Sequence, residues 1–223
     1  MSSPNLQLPL LETGILPALP EGFLYIPDFL SRQWADELLA QLLQETFWSQ
    51  PRIRIYGQWH PIPRLQAWMG DSGSSYTYSG LVQTPLPWHP AVALLNAELT
   101  DTPLDIGAAL PPLRFNSVLL NCYRDGKDAM GWHSDDEAEL GPTPVIASIS
   151  LGEPRRFALR RKGGSKMAHA WELAHGSLLI MYGNSQRDWQ HAIPRSARHQ
   201  QSRINLTFRT IHPSLHGSEP QSE

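Results

Sequence analysis

Pro144-Val-Ile-Ala-Ser-Ile-Ser-Leu-Gly-Glu-Pro-Arg-Arg-Phe-Ala-Leu-Arg-Arg161 reads as two short β-rich runs, 144–151 and 155–161, parted by the turn residues Gly152-Glu-Pro154. Branched and aromatic side chains suit a pleated, half-buried surface, whereas Gly and Pro mark where a chain reverses. Similar runs lie on both sides, at 115–123, 168–173, 177–182, 187–193 and 203–210. Asp125-Gly126, Gly141-Pro142, Gly163-Gly164, His175-Gly176 and Gly183-Asn184 separate them. Short strands at this spacing predict a β-sandwich or jelly roll.

Upstream of Arg114 the pattern changes. Ser31 is placed to cap a helix running to about Thr46, with Trp34, Leu38, Leu39, Leu42 and Leu43 on its packing face. Arg52-Ile-Arg-Ile-Tyr-Gly-Gln-Trp-His60 alternates and turns near Gly57, as a hairpin does, and Pro90 to Leu99 predicts a second helix. Residues 1–22, with Pro4, Pro9, Pro17 and Pro20 among unpatterned leucines, predict an extended arm. The expected organisation is an arm (1–22), one domain (23–212) that is mainly β with flanking helices, and a tail (213–223).

The bulk numbers narrow the function classes. The chain has 223 residues, 41% of them hydrophobic, with eight Trp, which suits one well-filled core. Cys122 is the sole cysteine, so no intrachain disulfide forms, in keeping with a reducing cytoplasm. Met1-Ser-Ser-Pro-Asn5 lacks the basic and apolar regions of a secretory signal, and no apolar run approaches the ~20 residues of a membrane helix. A monomer in the cytoplasm, or the nucleus of a eukaryote, without a membrane partner is expected. The formal charge of −3 does not by itself point to nucleic acid. The segment Arg155-Arg156 to Arg160-Arg161-Lys162, with Lys166, is locally basic and reads either as a solvated hairpin face or as a phosphate-contacting one.

His133-Ser-Asp135 is the first chemical signal. Residues i and i+2 of a strand point to one side, so an imidazole and a carboxylate can meet one metal there. His191, in the run 187–193, is a candidate third ligand. Two His and one carboxylate leave coordination positions open, the arrangement of non-haem Fe(II) oxygenases, and zinc is the chemical rival. The second signal is Arg203-Ile-Asn-Leu-Thr-Phe-Arg209. Its alternation puts Ile204, Leu206 and Phe208 toward one core and Arg203, Asn205, Thr207 and Arg209 on the other face. Buried guanidinium groups need anions, and a dicarboxylate such as 2-oxoglutarate offers one carboxylate to each. Alternating charge on a solvated strand is the plainer reading.

Asn121-Cys-Tyr-Arg-Asp-Gly126, Gly131-Trp-His-Ser-Asp-Asp-Glu137, Ile146-Ala-Ser-Ile-Ser-Leu-Gly152, His175-Gly-Ser-Leu-Leu-Ile-Met181, Trp189-Gln-His191 and the 203–209 strand occur in order. Together they resemble the AlkB family of DNA and RNA repair dioxygenases, nearest to the animal homologues two and three, from about Tyr25 to Ile211. The resemblance implies a double-stranded β-helix core, about 114–211, with Fe(II) on His133, Asp135 and His191. It also implies 2-oxoglutarate held by Asn121, Tyr123, Arg203, Thr207 and Arg209. Arg203 would meet its distal carboxylate. The activity implied is oxidative removal of N-alkyl groups, as in 1-methyladenine and 3-methylcytosine, from DNA and possibly RNA. O2 and 2-oxoglutarate would be consumed, and the alkyl group would leave as an aldehyde.

A base in a duplex must be flipped out to reach a buried site. Pro63-Arg64-Leu-Gln-Ala-Trp68 and Tyr76-Thr-Tyr78-Ser-Gly80 resemble the family's nucleotide-recognition lid, about 50–80. Tyr78 would stack on the base, with Tyr76 and Arg64 on the backbone or base edge. Asp136, with Glu137 beside it, would favour a cationic base, and Tyr56 would wedge into the stack. A 2-oxoglutarate oxygenase acting on a protein or small molecule would keep the iron residues without needing Arg64, Tyr76, Tyr78 and Asp136 together. A binding module without catalysis would not need an intact triad.

Overall fold

The structure, a computed structural model, describes residues 19–72, 74, 76–78, 81–101 and 113–212. The expected arm as far as residue 18, Gly80 of the lid and the tail 213–223 lie outside them. In chain order the first elements are β1 (Phe23–Ile26), α1 (Arg32–Glu45), β2 (Arg52–Ile55), β3 (Gln58–Pro61), β4 (Leu65–Gly70), β5 (Tyr76–Tyr78), β6 (Leu81–Gln83) and α2 (Pro90–Asp101). There follow β7 (Ser117–Tyr123), β8 (Met130–His133), β9 (Ile146–Gly152), β10 (Arg155–Arg161), β11 (His169–Leu173), β12 (Ser177–Met181), α3 (Ser185–Asp188), β13 (Trp189–Ile193) and β14 (Arg203–Arg209).

Two antiparallel sheets carry the fold. The larger runs β1-β12-β9-β14-β7-β4 and the smaller β11-β10-β13-β8, while β2-β3 and β5-β6 are separate hairpins. The large sheet is covered on both sides, so its central strands are buried on both faces. Val118, Leu120, Ile149, Leu151, Ile204, Leu206 and Phe208 pack outward against Leu38 and Leu42 of α1 and Leu95 and Leu99 of α2. Burying each such side chain contributes ~1.5–3 kcal/mol. Phe23, Ile146, Leu179 and Met181 face the other way, meeting Phe157, Leu159, Trp189 and Ile193 of the smaller sheet. This is the jelly roll that the strand spacing predicts, with the helices on its outer face.

Several elements depart from the sequence reading. Ser31 does cap α1, its Oγ accepting from the Trp34 backbone N–H, but the buried stripe is Ala35, Leu38 and Leu42. Leu43 is 40% exposed, and Trp34 and Leu39 are half-buried. The small Ala35 side chain lets the helix settle on the Gly176 turn, where a Gly Cβ would come 3.4 Å from its own. Strand β8 is absent from the predicted runs, since Met-Gly-Trp-His carries no β-branched residue. Arg187 and Asp188 close the helical turn α3 rather than opening a strand. Leu65–Gly70, read as lid, is the edge strand of the large sheet, with Leu65 opposite Cys122.

Arg155, grouped by sequence with the basic surface, is 1% exposed. Its guanidinium donates to the carbonyls of Asp125, Asp128 and Pro194, tying two loops together. The same loops meet at Gly126, whose N–H donates to His199 O while its carbonyl accepts from Ser196 N–H. A Cβ on Gly126 would lie 1.7 Å from the Ser196 carbonyl oxygen. Gly126→Ala therefore lowers stability by about 2–3 kcal/mol. A urea melt reads this as a lower midpoint at unchanged slope. An unchanged midpoint would mean that the 194–199 segment moves aside freely.

Candidate active site

Register brings the first two candidate ligands together. His191 on β13 stands directly opposite His133 at the end of β8. Their rings lie 4.2 Å apart, centroid to centroid. Asp135 follows two residues past the strand, and one donor atom from each of the three lies within 4.8 Å of the others. His133 Nδ1 donates to the Gly131 carbonyl at 2.8 Å, which leaves Nε2 with its lone pair, 3.7 Å from Asp135 Oδ1. The ring of His191 stacks on Phe157 at 5.3 Å. Asp135 is held from two sides: its N–H donates to Gln186 Oε1 at 2.9 Å, and its Oδ2 accepts from Arg209 Nη2 at 2.9 Å.

Electrostatics put Asp135 and His191 in the state that a cation requires. Burial opposes ionisation of Asp135, but Arg209, His191 and His133 outweigh it and hold the carboxyl below the usual carboxylate range. Burial, then the neighbouring His133, pushes His191 down to about 3, so its imidazole is neutral. An ionised carboxylate with a neutral imidazole is a metal-binding donor set, with no proton to remove first.

Strand β14 lines the same cavity with Arg203, Asn205, Thr207 and Arg209, joined by Asn121 and Tyr123 of β7 and Ser148 of β9. Ile204, Leu206 and Phe208 are fully buried on the helix side, as the alternation predicts. Arg203 is 1% exposed. Its Nη2 donates to Ser150 Oγ and Asn205 Oδ1, and its carbon lies 5.3 Å from the Tyr123 ring centroid. Its Nε and Nη1 have no hydrogen-bond partner, and no carboxylate of the described residues forms a salt bridge with it. Burial pulls its pKa down to about 10, which still leaves a cation at neutral pH. A buried cation with orphaned donors is costly, and it fits an anion brought in by a ligand. The donor set thus fits a divalent metal, and the Arg203 end fits a carboxylate.

Residues 22–209 match the 2OG-Fe(II) oxygenase superfamily. The chain belongs to that family. It is an iron(II)- and 2-oxoglutarate-dependent dioxygenase, with O2 as the other cosubstrate. The oxygenase is 39% identical over 201 residues to mouse alpha-ketoglutarate-dependent dioxygenase alkB homolog 3, covering 86% of this chain and 67% of that one. It is 38% identical over 190 residues to mouse DNA oxidative demethylase ALKBH2, covering 81% of this chain and 76% of that one. The solved structure of OsALKBH1 shares the fold at a TM-score of 0.60 and 24% identity, over 86% of this chain and 100% of that one.

Of the expected substrate residues of the oxygenase, Tyr56, Asp136 and Glu137 are not among those lining the cavity, and Arg64 touches its lining. Tyr56 stands wholly in solvent at the β2-β3 turn, in the left-handed region at φ 48°, followed by Gly57 at φ 82°. Arg64 Nε donates to Asn121 Oδ1 at 2.8 Å, so it meets a cavity-lining side chain. Asp136 pairs with Lys162, and Glu137 is half-buried. Tyr76 and Tyr78 lie on β5, paired with Gln83 and Leu81, and their side chains are outside the described residues. Sequence reasoning put Asn205 on the cavity face but missed Ser148, Ser150 and Gln186 as parts of the site. The alternation of Ala147-Ser-Ile-Ser-Leu151 already put both serines on one face. No local signal marked Gln186, which reaches Asp135 only through the fold. Among the described residues, no helix is long and apolar enough to cross a membrane.

Proposed function

We propose that this dioxygenase oxidatively removes N-alkyl groups from nucleic-acid bases, such as 1-methyladenine and 3-methylcytosine in DNA or RNA, acting as a monomer. The observation that carries the reading is its 38–39% identity, over four-fifths or more of its length, to the alkB homolog 3 and DNA oxidative demethylase proteins of mouse. His133, Asp135 and His191 would hold the iron, and Asn121, Tyr123, Arg203, Thr207 and Arg209 the 2-oxoglutarate. When bound, this pair supplies the oxidation of an alkyl C–H bond by O2, coupled to conversion of 2-oxoglutarate to succinate and CO2.

The chain's own residues orient and exclude. Arg203, almost wholly buried, would anchor the far carboxylate, and Arg209 keeps Asp135 ionised and aimed. Phe157 and Gln186 fix His191 and Asp135, so the donor atoms need little rearrangement on loading. Tyr76, Tyr78, Arg64, Asp136 and Glu137 would receive the flipped base. The test is succinate release with and without defined methylated oligonucleotides, the products weighed by mass spectrometry. Loss of one CH2 in mass for each methyl removed, in step with succinate, supports the reading. Succinate formed equally without nucleic acid, and from a protein extract instead, would move the substrate to another class.

Tyr56 is the wedge in this reading. A two-residue turn with both φ values positive is a tight hairpin, and a non-glycine residue there costs ~1–2 kcal/mol. The fold thus holds an aromatic ring out in solvent at the expense of stability. Flipping a paired base costs a few kcal/mol, part of which a ring filling the vacated space offsets. Tyr56→Ala slows demethylation of a duplex about tenfold or more, while the same lesion in a single strand is little affected. Equal losses on both would make Tyr56 a general backbone contact.

A further inference from the structure

The nucleic-acid reading above is the ground for this step. Asp136 follows the metal-ligand candidate Asp135 in the chain, with its side chain 51% exposed. Its Oδ2 accepts from Lys162 Nζ. Lys162 sits at the turn just after β10, and its own N–H donates to the Asp188 carbonyl at 2.9 Å. The turn is closed by Gly164 N–H on Arg161 O, with Gly163 at φ 79°. Two separate parts of the chain, 26 residues apart, are thereby anchored so that an ammonium meets the acid next to the triad. The pair is exposed, so the fold gains at most ~0–1 kcal/mol from it.

Its consequence lies in what else can take that carboxylate. Adenine alkylated at N1 and cytosine alkylated at N3 are cations at neutral pH, and the repaired bases are neutral. Two cations at one carboxylate repel each other, so a charged base and Lys162 compete for Asp136. We propose that Lys162 is a specificity-determining residue: it occupies Asp136 when no substrate is bound, is displaced by a cationic alkylated base, and retakes the carboxylate once the base is neutral. Lys162 therefore moderates the preference for charged lesions and favours release of the repaired strand.

The test is binding without turnover. Anaerobic enzyme loaded with Fe(II) and 2-oxoglutarate is titrated with labelled single strands holding one 1-methyladenine, adenine, 3-methylthymine or thymine, followed by anisotropy. Ratios within each pair cancel the loss of a positive charge near the phosphates. In Lys162→Gln the preference for 1-methyladenine over adenine rises about three- to fivefold. The preference for the neutral 3-methylthymine over thymine stays put, and Lys162→Arg keeps the wild-type ratios. In Asp136→Asn/Lys162→Gln the rise disappears. An unchanged ratio, a rise that survives without Asp136, or an equal weakening toward all four strands overturns the proposal, the last making Lys162 a phosphate contact. Wild-type enzyme that binds methylated and plain strands alike and releases no extra succinate would instead sink the nucleic-acid reading, and this inference with it.

Discussion

His133→Ala abolishes turnover, by about a thousandfold or more, while the protein stays folded. One of three donor atoms within 4.8 Å is removed, and the two that remain do not hold a divalent ion in a defined geometry. The fold is spared because the His133 side chain is 28% exposed and its one direct hydrogen bond is to the Gly131 carbonyl. Asp135→Ala is equally inactive but less clean. It strips the partly exposed Arg209 of its Asp135 ion pair, and so lowers stability as well. Anaerobic addition of Fe(II) and 2-oxoglutarate gives a visible charge-transfer band in the wild type and none in His133→Ala, with melting temperatures within a few degrees. Full activity in a folded His133→Ala variant, or equal wild-type activity with Zn(II), would place the chemistry elsewhere.

Arg203→Met raises the apparent KM for 2-oxoglutarate by about a hundredfold or more, since one partner of a buried charge pair is worth ~3–5 kcal/mol. The sign of its effect on stability is opposite to that of Asp135→Ala. Without cosubstrate, Arg203 is a buried cation whose Nε and Nη1 lack partners, so its removal relieves a desolvation cost. The apo variant therefore melts at or above the wild-type temperature. What it loses is the stabilisation that saturating 2-oxoglutarate gives, which for a ligand at a hundred times its Kd is ~2.7 kcal/mol. Thermal shift separates the two effects: the wild type responds to 2-oxoglutarate and the variant does not. A variant that still responds would move the cosubstrate to other residues of the cavity.

The strand pattern from Arg114 onward was enough to predict a jelly roll, because an alternating strand declares its two faces whatever it packs against. For the same reason Arg203-Ile-Asn-Leu-Thr-Phe-Arg209 showed in sequence that two arginines and two neutral polar groups share a face. The motif set from Asn121 to Arg209 pointed to the family and to the triad. What sequence could not decide was which groups meet across the chain. The antiparallel register setting His191 against His133, the contact of Gln186 with Asp135, and the pairing of Lys162 with Asp136 are long-range facts. Arg155 and Arg203 look alike in sequence and are equally buried. Yet Arg155 meets three backbone carbonyls and ties two loops together, while Arg203 is left with donors facing the cavity. Local composition sets which residues can be buried on which face. Only the packing of two sheets decides which buried charge finds a partner in the protein and which must wait for a ligand.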